Sequence, residues 1–179
     1  MNARHAAGAL LLLLVSAICA FGEEARLNDA QIVGIILVAN QAEIAAGQTA
    51  LRRTQSRSVQ SFASRIVDEH RQVNEEAAGL MQRLAATPQR SGISDALTRQ
   101  SYDDVARLNA VEAREFDQTY LDREVIFLHR LVKSVDAFIR STTNTELKTL
   151  LVRSRPSFIF HLDQAHRLQL ALERPGFGR

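Results

Sequence analysis

The sequence predicts an all-α fold, a helical bundle of four long helices with one long crossover. Three observations carry that expectation. Four long segments repeat apolar residues at the 3.6-residue period of an amphipathic helix. Only three prolines and eight glycines occur in 179 residues, whereas Ala, Leu, Arg and Glu are abundant, a balance that suits helix interiors. The clearest turn-forming stretches, T-P-Q-R-S-G at 87–92 and S-T-T-N at 141–144, fall between the periodic segments.

The first 22 residues stand apart from the fold. Arg4 supplies a positive start, Ala6 to Ala20 is apolar and contains L-L-L-L-L-V, and Ala20-Phe21-Gly22 places small residues at the −3 and −1 positions of a cleavage site. This pattern reads as a secretory signal peptide over 1–22, leaving 23–179 as a single helical-bundle domain. The apolar run is about 15 residues long, against the ~20 that a spanning helix needs, so no transmembrane span is expected after cleavage. An uncleaved N-terminal anchor is the competing reading. Cys19 is the only cysteine, and Ile18 before it is bulkier than the residue that usually precedes a lipid-bearing cysteine. The remaining chain has no disulfide to support it, although an oxidising compartment is allowed.

The first long helix is expected to start near Asn28 or Asp29 and run to about Thr54, with Ile32, Ile36, Ala39, Glu43, Ala46 and Ala50 inward. The second follows Ser56 or Ser58 and reaches about Ala86, turning in Val59, Phe62, Ile66, His70, Val73, Ala77, Leu80 and Leu84. A shorter helix near 94–108 carries Leu97, Val105 and Leu108. The third long helix spans about 113–140, its expected inner side being Val125, Leu128, Val132 and Val135 with His129 among them. Asn144 caps the fourth, which continues to about Glu173 with Leu147, Leu151, Phe158, His161, Ala165, Leu168 and Leu172 inward. Pro156 cannot donate to Val152, so a kink or restart is expected there. Short turns make each outer pair antiparallel, and the long middle connection can cross the bundle lengthwise. The spacing therefore favours a ferritin-like four-helix bundle with a short extra helix in the crossover.

Each long helix places one ionisable side chain on its inner stripe: Glu43, His70, His129 and His161. Counted from the turns at 1.5 Å per residue, the two members of each antiparallel pair differ in height by only about 4–6 Å. Four polar side chains on one level either satisfy one another or share an ion, since each would be costly to bury alone. Three imidazoles and a carboxylate form a competent set for one divalent metal (Zn, Mn, Fe or Cu), with Asp68, Asn74 and Asp122 as candidate supporting groups. Gly47, one turn beyond Glu43, leaves room for close helix approach or ligand entry. The alternative is a metal-free Glu–His layer that only fixes helix register. A di-iron carboxylate centre is disfavoured, because Val67, Ile126 and Phe158 stand where the glutamates of a Glu-x-x-His pair would be.

Other chemistry finds little support. There is no Gly-rich phosphate loop, no G-x-S-x-G elbow, and no cysteine beyond Cys19. Met1 and Met81 are the only methionines, too few for a methionine-rich copper carrier. Asp117 and Asp122 flank Tyr120 near the start of the third long helix, where acidic side chains suit the helix dipole. Basic and acidic residues (22 and 20) are interspersed, without aromatic interleaving, so a nucleic-acid surface is not expected.

Four ordered blocks carry a family resemblance: N-Q-A-E-I-A-A-G-Q-T-A at 40–50, F-A-S-R-I-V-D-E-H-R-Q-V-N at 62–74, F-D-Q-T-Y-L-D-R-E-V-I-F-L-H at 116–129, and L-K-T-L…R-P-S-F-I-F-H-L-D-Q-A at 147–165. Together they resemble the bacterial family catalogued as domain of unknown function 4142, often described as exported or outer-membrane proteins. The resemblance implies a ferritin-like bundle in the periplasm or at the outer membrane, and no established reaction. It places Glu43, His70, His129 and His161 on the family's E-I-x-x-G, D-x-H, helix and H-L blocks respectively. The sequence departs from that pattern at Leu128 and Phe160, where the family commonly has acidic residues, leaving a less charged layer.

If the leader is cleaved as read, N-terminal sequencing of the protein from a periplasmic fraction begins at Glu23; a chain retaining Met1 there would refute it.

Overall fold

A computed structural model describes residues 26–172; the leader expected over 1–22 and the chain after Leu172 lie outside them. Five helices follow in order: α1 (Asp29–Arg53), α2 (Arg57–Arg83), α3 (Gly92–Ala110), α4 (Ala113–Ser141) and α5 (Thr145–Leu172). Side chains at the turns set most of these starts. Asn28 Oδ1 accepts from the Gln31 amide at 2.8 Å, and Gln31 Oε1 returns the favour to the Asn28 amide at 3.1 Å. Ser56 and Ser91 cap α2 and α3, and Asn144 accepts from the Leu147 amide at 2.9 Å to open α5.

Contacts at the two ends fix the topology. At one end Asp29 accepts hydrogen bonds from the Thr142 and Thr143 hydroxyls and the Asn144 amide, and Arg83 meets Glu146 at 3.1 Å. The Gln89 amide also donates to the Ala30 carbonyl there, so α3 starts beside the start of α1. At the other end the Arg53 guanidinium donates to the carbonyls of Leu108 and Val111, closing the far end of α3. Thus α1 and α3 ascend while α2 and α4 descend, and α5 rises against α4. The crossover does run the length of the bundle, and its helix is longer than the expected 94–108.

The core is built from the four inner stripes, with Ile32, Phe62, Ile66, Phe116, Tyr120, Leu121, Leu128, Leu151 and Phe158 almost fully buried. α1 is the one described helix long and apolar enough to cross a membrane, yet two thirds of its apolar stretch is already buried against the others. Its apolar character comes from α3 covering its outer side. α5 runs on through Pro156 without the expected restart. The carbonyl that Pro156 leaves without a donor belongs to Val152, which is half exposed, so water can reach that face.

Two glycines separate packing from propensity. A methyl group on Gly34 would collide with the backbone carbonyl of Gln89, whereas one on Gly79 would meet nothing closer than Arg83 Nη1 at 3.5 Å. Gly34→Ala should lower stability by about 1–3 kcal/mol because backbone must move. Gly79→Ala should raise it by up to about 1 kcal/mol, since alanine is the better helix residue. Urea unfolding of both variants tests the pair, and equal effects would contradict this packing of the 87–90 loop.

Candidate functional site

Three of the four side chains expected at mid-bundle do meet. Glu43, His70 and His161 are wholly buried, with His70 Nε2 3.9 Å from Glu43 Oε2 and the two imidazole centroids 5.5 Å apart. His129 does not join them. It is exposed, one residue past the buried Leu128, and the inner stripe of α4 reads Phe116, Tyr120, Glu124, Leu128, Leu131, Val135 and Phe138. Val125 and Val132, taken as core, are only half-buried. Glu124 supplies the polar residue from α4, and Arg123 beside it also turns inward.

Arg123 dominates this half of the layer. Its Nη1 donates to Glu43 Oε1 on α1 and, at 2.9 Å, to Glu124 Oε1 on α4; its Nε donates to Asp104 Oδ2 on α3 at 3.2 Å. The face of the guanidinium rests 4.2 Å from the centroid of Phe127. Burial is the largest influence and would raise the Glu43 pKa, but Arg123, His70 and Glu124 together outweigh it and hold this carboxyl below its ordinary range. Glu124 goes the other way: burial, then the neighbouring Glu43 charge, push its pKa well up, which makes Glu124 the protonated member of the pair. Tyr120, buried beside the same carboxyls, is likewise raised, chiefly by burial.

The other half is made of imidazoles. Asn40 Nδ2 donates to Asn74 Oδ1 at 2.9 Å, which leaves Asn40 Oδ1 facing His70 Nδ1 at 2.8 Å. His70 also stacks on Phe158 at 5.2 Å. Burial depresses its pKa to about 4, with Glu43 opposing that fall, so His70 is neutral at physiological pH. Burial lowers His161 as well, against the pull of Glu69, whose Oε2 lies 3.0 Å from His161 Nε2 but out of line with a ring N–H. The Ser157 hydroxyl donates to that same Glu69 carboxylate, so it is not activated by His161 as a nucleophile would be.

The expected supporting groups divide. Asn74 stands behind His70 through Asn40. Asp68 is exposed, and Asp122 instead accepts from Gln118 and Gln169 at 2.7 and 2.6 Å, tying α4 to α5. Gly47 serves close approach: a methyl there would lie 2.8 Å from Val67 Cγ2 and 3.2 Å from the Ala63 carbonyl. Among the described residues, no three His, Cys, Asp or Glu side chains stand gathered tightly enough to hold a metal ion as they are placed. A guanidinium already lies where the carboxylates need positive charge.

Linkage gives this layer a pH signature. His70 is neutral in the fold and takes up a proton on unfolding between its folded pKa of about 4 and the ordinary 6.5. The unfolded state therefore binds more protons in that window, and stability falls as the pH drops through it. Its share should reach about 2 kcal/mol by pH 5. Urea unfolding of wild type and His70→Gln in chelator-containing buffer at pH 7 and pH 5 should show a shallower acid loss in the variant. Identical slopes would remove His70 as the source.

The sequence profile of a family described as a domain of unknown function, number 4142, matches residues 19–168. No curated protein and no solved structure matches the chain. The match spans four of the five helices in full and nearly all of α5, including every residue of the buried layer. The chain belongs to the domain of unknown function 4142 family.

Proposed function

We propose that this chain is an exported, non-catalytic helical-bundle module of the cell envelope, in which the buried layer fixes helix pairing and register. The observation that carries this reading is the Arg123 guanidinium held between Glu43 and Glu124, with Asp104 behind it. One cation thereby links α1, α3 and α4 at a single height. A shift of any of these helices by one turn, about 5.4 Å, would leave buried charge without its partner. The leader pattern at 1–22 supports export. Ligation by His129 is not part of the reading, because that side chain lies on the surface.

Arg123→Met, melted and unfolded in chelator, should lose about 3–5 kcal/mol, because it strands a buried carboxylate. The triple variant Glu43→Gln, Arg123→Met, Glu124→Gln should recover much of that loss while giving broadened amide spectra from mixed packing. An Arg123→Met protein as stable as wild type would defeat the reading.

A further inference from the structure

Outside the buried layer, the seam between α3 and α4 is open. α3 packs along α1 and touches α4 far less, which leaves a cavity of about 290 Å³ between the two. That volume lies at the lower edge of the ~300–1,000 Å³ of small-molecule sites, so it suits a ligand of few atoms. The contact of Arg123 Nε with Asp104 puts residues 104 and 123 at one height. Since α3 ascends and α4 descends, Arg107 stands about 4.5 Å above that height and Arg130 about 10.5 Å below it. The two residues mark opposite ends of the groove, roughly 15 Å apart along the bundle. Ile126 and Phe127 lie between them; Ile126 is 54% exposed, and Phe127 is covered on one face by Arg123.

The acids in this wall are already engaged. Asp104 accepts from Arg123 and Gln100, and Asp122 accepts from Gln118 and Gln169. Glu43 answers Arg123 from the core side. Arg107 and Arg130 are exposed, and neither side chain pairs with any described residue. Arg123, the inner wall, leaves Nη2 buried without a partner, on the same edge of the guanidinium as the Nε that meets Asp104. Formal charge in and under the wall is therefore balanced, while the polar capacity left over is mainly that of N–H donors. A guanidinium presents its donors in a planar fork that matches the two oxygens of a carboxylate. Two such forks with an apolar stretch between them fit a ligand that carries acceptors at both ends and hydrocarbon in the middle.

We propose that the α3–α4 groove binds a short aliphatic dicarboxylate, one carboxylate at Arg107, the other at Arg130, with the chain lying along Ile126 and Phe127. This goes beyond the packing role, which uses Arg123 and neither of the two outer arginines. Because Arg107 and Arg130 hold nothing in the fold, their replacement leaves the bundle intact.

The protein is titrated with octanedioate and, separately, with octanoate, and binding is followed in 1H–15N spectra. Octanedioate should give saturable shifts confined to the amides of 100–108 and 119–130, with a Kd of about 1 mM or tighter. Octanoate, with one carboxylate, should bind about fivefold more weakly, the upper end of what one exposed ion pair contributes. Arg107→Gln and Arg130→Gln should each weaken octanedioate by the same factor and bring it level with octanoate, and both variants should melt as wild type does. No saturable shift with wild type, equal affinity for the two acids, or undiminished octanedioate binding in the double variant would overturn the proposal. The Arg123→Met stability loss is measured without either acid, so the packing reading and this one can fail separately.

Discussion

A guanidinium buried among carboxyl groups is the constraint on which the rest of this bundle depends. Moving Arg123 out of water costs several kcal/mol, and only closely placed acids return it. Those acids come from three helices: Glu43 on α1, Asp104 on α3 and Glu124 on α4. Asp104 explains why the crossover carries a helix rather than a loose strand of chain. α3 must stand at the right height to meet Nε, and Ser91 at one end and the Arg53 contacts at the other hold it there. A bundle closed by apolar stripes alone could slide by a turn at modest cost. This one cannot.

The two halves of the layer obey different electrostatics. On the α1–α3–α4 side charge is retained, and the pKa values of Glu43 and Glu124 are driven apart so that a single negative charge is shared between them. On the α2–α5 side charge is excluded: burial, above all else, lowers the pKa of both His70 and His161. A protonated imidazole there would face Arg123 through the interior. The neutral state of the imidazoles and the ionised state of Glu43 therefore follow from one arrangement, and neither can change alone.

Much of this was legible in the sequence, and the failures share a cause. Helix starts followed from Asn28, Ser56 and Asn144, whose short polar side chains cap the segments that follow them. Glu43, His70 and His161 lie on the lines of buried residues that run along α1, α2 and α5. α4 was harder because V-I-F-L-H-R-L-V is apolar around most of its circumference, so the centre of the stripe is poorly defined there. Anchoring instead on Phe116, Tyr120, Leu131 and Val135 carries the inner line over Glu124 and Leu128, leaving His129 outside. Arg123 and Glu124 look like a solvated charge pair in one dimension. Only the approach of Glu43 and Asp104 from other helices makes their burial favourable, and that is tertiary information. Pro156 was overread for the opposite reason: the lost hydrogen bond lies on a wet face, where the helix tolerates it.

A layer that served register alone would be expected to satisfy every polar atom it buries, since an incomplete network is worse than an apolar one. Neither half meets that standard: Glu43 Oε2, Glu124 Oε2, Arg123 Nη2 and Tyr120 Oη lack partners on the ionic side, as do His70 Nε2 and both ring nitrogens of His161 on the other. His70 is nonetheless held by two amides in series, with Nε2 3.9 Å from Glu43 Oε2. Leucine at position 70 would pack the same space without that penalty. Packing alone therefore leaves the unpartnered atoms of both halves unexplained, and the layer keeps its place because the ion pairs of Arg123 with Glu43, Glu124 and Asp104 return more than those atoms cost.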